Sequence, residues 1–143
     1  MARYAGVPLV CYGTPSAEAE HARLAAHGFE PEPPVELRRR IEGGKEVGFR
    51  VVYVPPAKMP ECRAQYCEHL TPRLVWQDHW KKHKNGVIGL SDAYVVARDP
   101  AAVAARWAEF SGMLPRRERG FIRLETARGT VFFADGRTLS KII

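Results

Sequence analysis

One order of signals occurs twice in this chain, and that duplication limits its possible folds more than any other feature. Val7-Pro8-Leu9-Val10-Cys11-Tyr12 is short, apolar and partly β-branched, which predicts a strand. Pro8 cannot donate to a sheet ladder, so it belongs at the strand's start or at a sheet edge. Gly13-Thr14-Pro15 turns the chain, with Thr14 or Ser16 able to cap an Ala-rich helix over 17–27 that Gly28 stops. Three prolines within Phe29–Pro34 exclude helix there. Strands are then predicted at Val35–Ile41, at Gly48–Val54 after the Gly43-Gly44 turn, and at Gln65–Leu70. The second copy runs in the same order. Val87–Ala97 reads as a strand, Asp99-Pro100 as cap and first helical residue, and Ala101–Phe110 as a helix with the apolar stripe Val103, Trp107 and Phe110. Gly112 stops it, and Gly120–Thr126 and Thr130–Ala134 form a hairpin across Arg128-Gly129 before a short tail from Leu139. Each copy reads β-α-β-β-β. Neither is large enough to bury a sheet face alone, so the expected fold is α+β: two modules sharing one core as a single domain over 1–143. Module 1 spans about 5–70, a linker 71–85, and module 2 about 86–143.

Composition narrows the functional classes. An apolar fraction of 45% supports a core without disulfides or metals. Cys11, Cys62 and Cys67 are odd in number and form no CxxC pair, and no signal peptide or membrane-length apolar run is present, which predicts free thiols in a reducing cytoplasm and no membrane partner. Cys11, inside an apolar run, is expected to be packed there. The net charge of +6 is dispersed apart from Arg38-Arg39-Arg40, Lys81-Lys82 and Arg116-Arg117, so a solvated basic surface is expected and a nucleic-acid partner is not.

The densest chemistry lies in Tyr66–Trp76 and its continuation to Gly86. Cys67 and His69, two apart in a strand, share one face, while Glu68 takes the other with Tyr66 and Leu70. His69 can act as ligand, acid/base or hydrogen-bond anchor, or can order the linker through a backbone carbonyl. Cys67 reads as a buried small apolar side chain more than as a nucleophile, because no basic residue stands by to lower its pKa, and it is a candidate for ligand binding. Trp76 and Trp80, four apart, would stack on one side of a helical turn, over a ligand or over the seam between modules. His79 and His83 have a zinc-compatible spacing but no second ligand pair nearby, and read as solvated. Arg123 and Glu125 share a strand face, as ligand-facing groups or as a surface ion pair.

The paired βαβββ order, the Cys67–Trp76 stretch and His83-Lys84-Asn85-Gly86 together resemble the vicinal oxygen chelate superfamily of glyoxalases, extradiol dioxygenases and bleomycin-resistance proteins. The likeness is greater still to its glyoxalase-like-domain members, and covers roughly residues 6 to 140. The resemblance implies mixed sheets curling into a trough, helices on the outside, and a small ligand in the trough, often with a divalent metal. Many relatives carry a further module ahead of the equivalent of Tyr4, so a short member or a fragment is expected here. The metal pattern departs from the family: Asp92 stands where a strand histidine is expected, Val7 holds the corresponding first-module position, and Ser140 falls where a glutamate belongs. Only His69 has a credible place, and such sites need about three protein ligands, so neither metal nor other cofactor is expected. The resulting expectation is a small-molecule-binding protein, a lyase or isomerase if it is an enzyme, with a degenerate metal site. Its catalytic candidates are His69 and Glu125, and its ligand-binding candidates are Trp76, Trp80, Cys67 and Arg123. The alternative is a non-catalytic binding or dimerisation module, and a homodimer is expected in either case.

Overall fold

The computed structural model describes residues 6–141, so the outer limits of both predicted modules, residue 5 and residues 142–143, lie outside the described residues. The fold is α+β and divides into two compact units, Met1–Val87 and Ile88–Ile143. Each holds its own four-stranded mixed sheet built in the order β-α-β-β-β.

In the first unit β1 (Leu9–Thr14), β2 (Val35–Arg40), β3 (Glu46–Tyr53) and β4 (Arg63–His69) pair in the order β1-β4-β3-β2. β1 runs parallel to β4 and the other pairs are antiparallel. β1 is an edge strand, Pro8 stands just before it, and the Pro8 carbonyl accepts from the Arg63 amide at 3.1 Å. The crossover helix α1 (Ala17–Ala26) is capped by Ser16, whose hydroxyl accepts from the Ala19 amide. Leu24 and Ala17 of this helix are fully buried, with Val52, Ala64 and Tyr66 of the sheet. A second tie enters α1 from far along the chain. Glu68 Oε2 accepts from the Ala17 amide at 3.0 Å, so the strand carboxylate meets the positive end of the helix dipole.

After β4 the chain turns at Thr71, whose hydroxyl accepts from the Gly48 amide at 3.0 Å, into the single turn α2 (Pro72–Val75).

In the second unit β5 (Asp92–Val96), β6 (Arg116–Glu118), β7 (Phe121–Thr126) and β8 (Gly129–Ala134) pair as β5-β8-β7-β6, again with one parallel pair, β5 and β8. Helix α3 (Pro100–Ser111) is capped by Asp99, which accepts from the Ala101 and Ala102 amides, and ends at Gly112 in the left-handed region (φ 69°) that glycine adopts without strain. Val103, Trp107 and Phe110 are buried as the stripe predicts, Trp107 edge-on to Phe133 at 5.6 Å. A one-turn helix, α4 (Gly136–Leu139), follows β8 where a turn leading into a tail from Leu139 was expected.

Two further differences have physical causes. The expected strand over 87–97 is confined to Asp92–Val96, because Val87, Ile88 and Leu90 find no sheet partner and remain exposed. β6 gave no sequence signal, since Arg116-Arg117-Glu118 is wholly polar and is held as an edge by pairing with β7.

Candidate functional site

Register decides what each face of the first sheet offers. The face toward α1 carries Tyr12, Arg50, Tyr66 and Glu68, with Glu36, Arg38 and Glu46 at its β2 end. Its acids are taken up in ion pairs, Arg50 with Glu18 at 2.9 Å and Arg38 with Glu36 at 2.6 Å among them. The opposite, open face is formed by Leu9, Cys11 and Gly13 of β1; Arg63, Gln65, Cys67 and His69 of β4; Val47, Phe49, Val51 and Tyr53 of β3; and Val35, Leu37 and Arg39 of β2. Among these strand residues there are two arginines and no Asp or Glu. The open face is apolar in the middle and cationic in its charges. Arg63 lies over the Tyr53 ring at 5.0 Å, a cation–π contact that fixes one of those charges.

His69 ends β4 on this face. Phe49, its register partner, meets it edge-on at 5.2 Å, and Trp76, brought back by the Thr71 turn, stacks on it at 5.6 Å and 16°. The Trp76 indole N–H donates to His69 Nδ1 at 3.1 Å. Indole nitrogen can only donate, so Nδ1 must be the unprotonated nitrogen and the neutral ring carries its proton on Nε2. His69 therefore carries its proton on Nε2, and the Trp76 side chain anchors its ring.

Cys67 lies beside His69 on the same face and is buried. Burial pushes its thiol up to about 11, and the neighbouring Cys11 adds to the effect. Burial likewise raises the Cys11 and Cys62 thiols. No cysteine here is poised as a thiolate nucleophile. Cys11 corrects the expectation of a packed residue: it is exposed, while its sulfur rests against Gln65 and Cys67.

The remaining candidates lie elsewhere. Trp76 and Trp80 share no helical turn, because α2 ends at Val75 and a separate 3-10 turn spans Asp78–Lys81; Trp80 packs on His79 at 4.4 Å instead of on Trp76. His79 and His83 are exposed. Arg123 and Glu125 share the open face of the second sheet and pair at 3.2 Å, with Arg116 3.9 Å from the same carboxylate and Glu118 2.9 Å from Arg123. Beside them lies an aromatic tray in which Tyr94 stacks on Phe132 at 5.1 Å and Phe121 meets both edge-on. Phe49, Tyr53, Arg63 and the tray were not singled out from sequence; strand parity groups residues by face, but cross-strand register is needed to bring these together.

The residues do not fit a resident divalent ion of the kind the family often holds. Val7 has no donor atom, Ser140 is exposed and donates to the Arg137 carbonyl, and the Asp92 carboxylate accepts from Ser91. To ligate through Nε2, His69 would have to move its proton to Nδ1 and so lose its bond with Trp76. Among the described residues no three His, Cys, Asp or Glu side chains come together as a metal-binding group.

No curated protein matches this sequence. A solved structure, a hypothetical protein from Staphylococcus aureus, is similar at a TM-score of 0.69 and 13% identity, over 91% of this chain and 53% of that one. The chain thus spans about half of that relative's length, and the likeness is one of fold. A family model described as Glyoxalase-like domain matches residues 1–111. That match extends from the first strand through the second crossover helix and takes in the His69–Trp76 turn, and this chain belongs to the glyoxalase-like domain family of the vicinal oxygen chelate superfamily.

Proposed function

We propose that this chain binds a small organic anion with an apolar body on the open face of its first sheet, and that His69 Nε2–H donates to an oxygen of that ligand. The observation that carries the proposal is the Trp76–His69 hydrogen bond, which fixes which imidazole nitrogen holds the proton. The face supports it: Phe49 and Tyr53 are half-buried on it, Trp76 adds an exposed aromatic wall, and Arg63 and Arg39 are its only strand charges. A donor beside apolar walls suits a carboxylate or a carbonyl oxygen. In its enzymatic form the same N–H would stabilise the oxygen on which charge develops in a lyase or isomerase step, without a resident divalent metal. Arg123 and Glu125, beside the second sheet's aromatic tray, are a separate pair of polar candidates within the second unit. Trp80 stays a candidate for contact from the linker.

The test is benzoate binding followed by ligand-observed NMR, with benzyl alcohol as the uncharged control. Saturable millimolar binding of benzoate, weakened about 3- to 10-fold by His69→Ala, is the expected result, since one net hydrogen bond is worth about 0.5–1.5 kcal/mol. Benzoate binding that is absent, or identical in His69→Ala, overturns the proposal.

A second reading, pairing of two copies, draws on the partly exposed Leu9, Val35 and Leu37 on the edge strands β1 and β2 of this face. Light scattering at high concentration tests it, and a strict monomer removes it.

A further inference from the structure

The two thiols on the open face, Cys11 and Cys67, belong to neighbouring strands. β1 and β4 pair in parallel with Cys11 opposite Gln65 and Gly13 opposite Cys67, so the cysteines are diagonal neighbours on one face. The two thiols interact electrostatically, Gln65 Nε2 donates to Cys11 Sγ at 3.7 Å, and the Cys67 thiol donates to the Glu68 carbonyl oxygen at 3.9 Å. A disulfide does not suit this placement. Diagonal neighbours across a strand pair stand about 7–8 Å apart at Cα, and bridging fails beyond about 7 Å without backbone movement. An ion held between the sulfurs has no such difficulty, because two bonds of about 2.3 Å reach across about 4.6 Å.

We propose that Cys11 and Cys67 form a two-coordinate site for a soft monovalent cation of the copper(I) class. Zinc or iron would need further Cys, His or carboxylate ligands, and no third such group joins the pair among the described residues. Copper(I) is satisfied by two thiolates. Binding replaces two S–H protons with two metal–sulfur bonds, releases both protons, changes no oxidation state and leaves one net negative charge. The surroundings meet that charge: Arg63 stands two residues before Gln65 on the same face of β4, the strand residues of this face include no acid, and the Gln65 amide already points at a sulfur. Space is available as well, since a Cβ at Gly13, opposite Cys67, would meet nothing within 4 Å.

The experiment is an anaerobic titration of the reduced, metal-free full chain with copper(I) acetonitrile salt against a chromophoric copper(I) chelator, bicinchoninate. One ion per chain is expected for the parent and for Cys62→Ser, with at least about a hundredfold weaker binding in Cys11→Ser and Cys67→Ser, because loss of a ligand costs no less than loss of an outer-shell partner. X-ray absorption should show two sulfurs and no nitrogen or oxygen donors. Parent affinity in Cys11→Ser, an equal loss in Cys62→Ser, or nitrogen and oxygen donors would each overturn the site. Cys11 is exposed, so its replacement tests the site without a core change and decides the question alone if Cys67→Ser fails to fold.

Discussion

Removing the carboxylate of Glu68 tests the packing that turns His69 toward the open face. Glu68 Oε2 lies 3.0 Å from the Ala17 amide and 3.7 Å from Arg50, with the side chain 19% exposed. A hydrogen bond to a charged group contributes about 1.5–3 kcal/mol, the helix terminus about 0.3–1 kcal/mol, and the longer contact with partly exposed Arg50 little. Ala17 is fully buried, so Glu68→Ala also leaves a backbone N–H without its acceptor. These contributions overlap and are not summed; Glu68→Ala should cost about 2–3 kcal/mol. Glu68→Gln keeps a neutral acceptor at the same reach and should cost less than about 1 kcal/mol. Equilibrium urea unfolding followed by far-ultraviolet circular dichroism reads both. A loss below about 0.5 kcal/mol for Glu68→Ala, or equal losses for the two variants, would refute the capping role, since an ordinary surface residue falls in that range.

Three other outcomes are expected. Gly129→Ala should destabilise the chain by about 1–3 kcal/mol or more in thermal melts, because its Cβ would run into the Ser91 carbonyl oxygen that accepts the Thr130 amide; a neutral effect would contradict that approach. Burial raises the Tyr12 phenol and pushes Tyr66 up to about 12; because these folded values lie above the unfolded one near 10, stability is present below about pH 10 and lost as pH rises toward 12, and two tyrosines should ionise only on unfolding in absorbance at 295 nm. Elemental analysis after dialysis into metal-free buffer should find no stoichiometric divalent ion, since Val7, Asp92, Ser140 and the Nε2-protonated His69 supply too few donors; one tightly held zinc, nickel, manganese or iron per chain would reverse that conclusion.

The parity of β4 was readable from sequence, and so was the repeat, because alternation and capping are local. Cys67 and His69 on one face, Glu68 on the other, follow from a period of two. Which of those faces meets the helix was not readable, since the Glu68 contact with Ala17 joins residues 51 apart. The Trp76–His69 bond depends on the chain folding back through Thr71, which is anchored on Gly48 of another strand. Val87, Ile88 and Leu90 misled for the opposite reason: their β-forming composition is local, while the strand partner it needs is absent from this register. The nearness of Cys11 and Cys67 was likewise hidden, because a parallel pairing registers strands separated by α1, β2 and β3.

The protonation of His69 is where the functional account can be tested most directly. Long-range nitrogen–proton NMR of the neutral ring should show the proton on Nε2, with Nδ1 shifted as a hydrogen-bond acceptor, and benzoate should perturb Nε2 far more than Nδ1. Trp76→Phe keeps a ring on His69 but deletes the indole donor, and should release the tautomer to a mixture while weakening benzoate binding. A proton on Nδ1 in the parent chain, or an unchanged Nε2 tautomer with unchanged benzoate affinity in Trp76→Phe, would contradict the account.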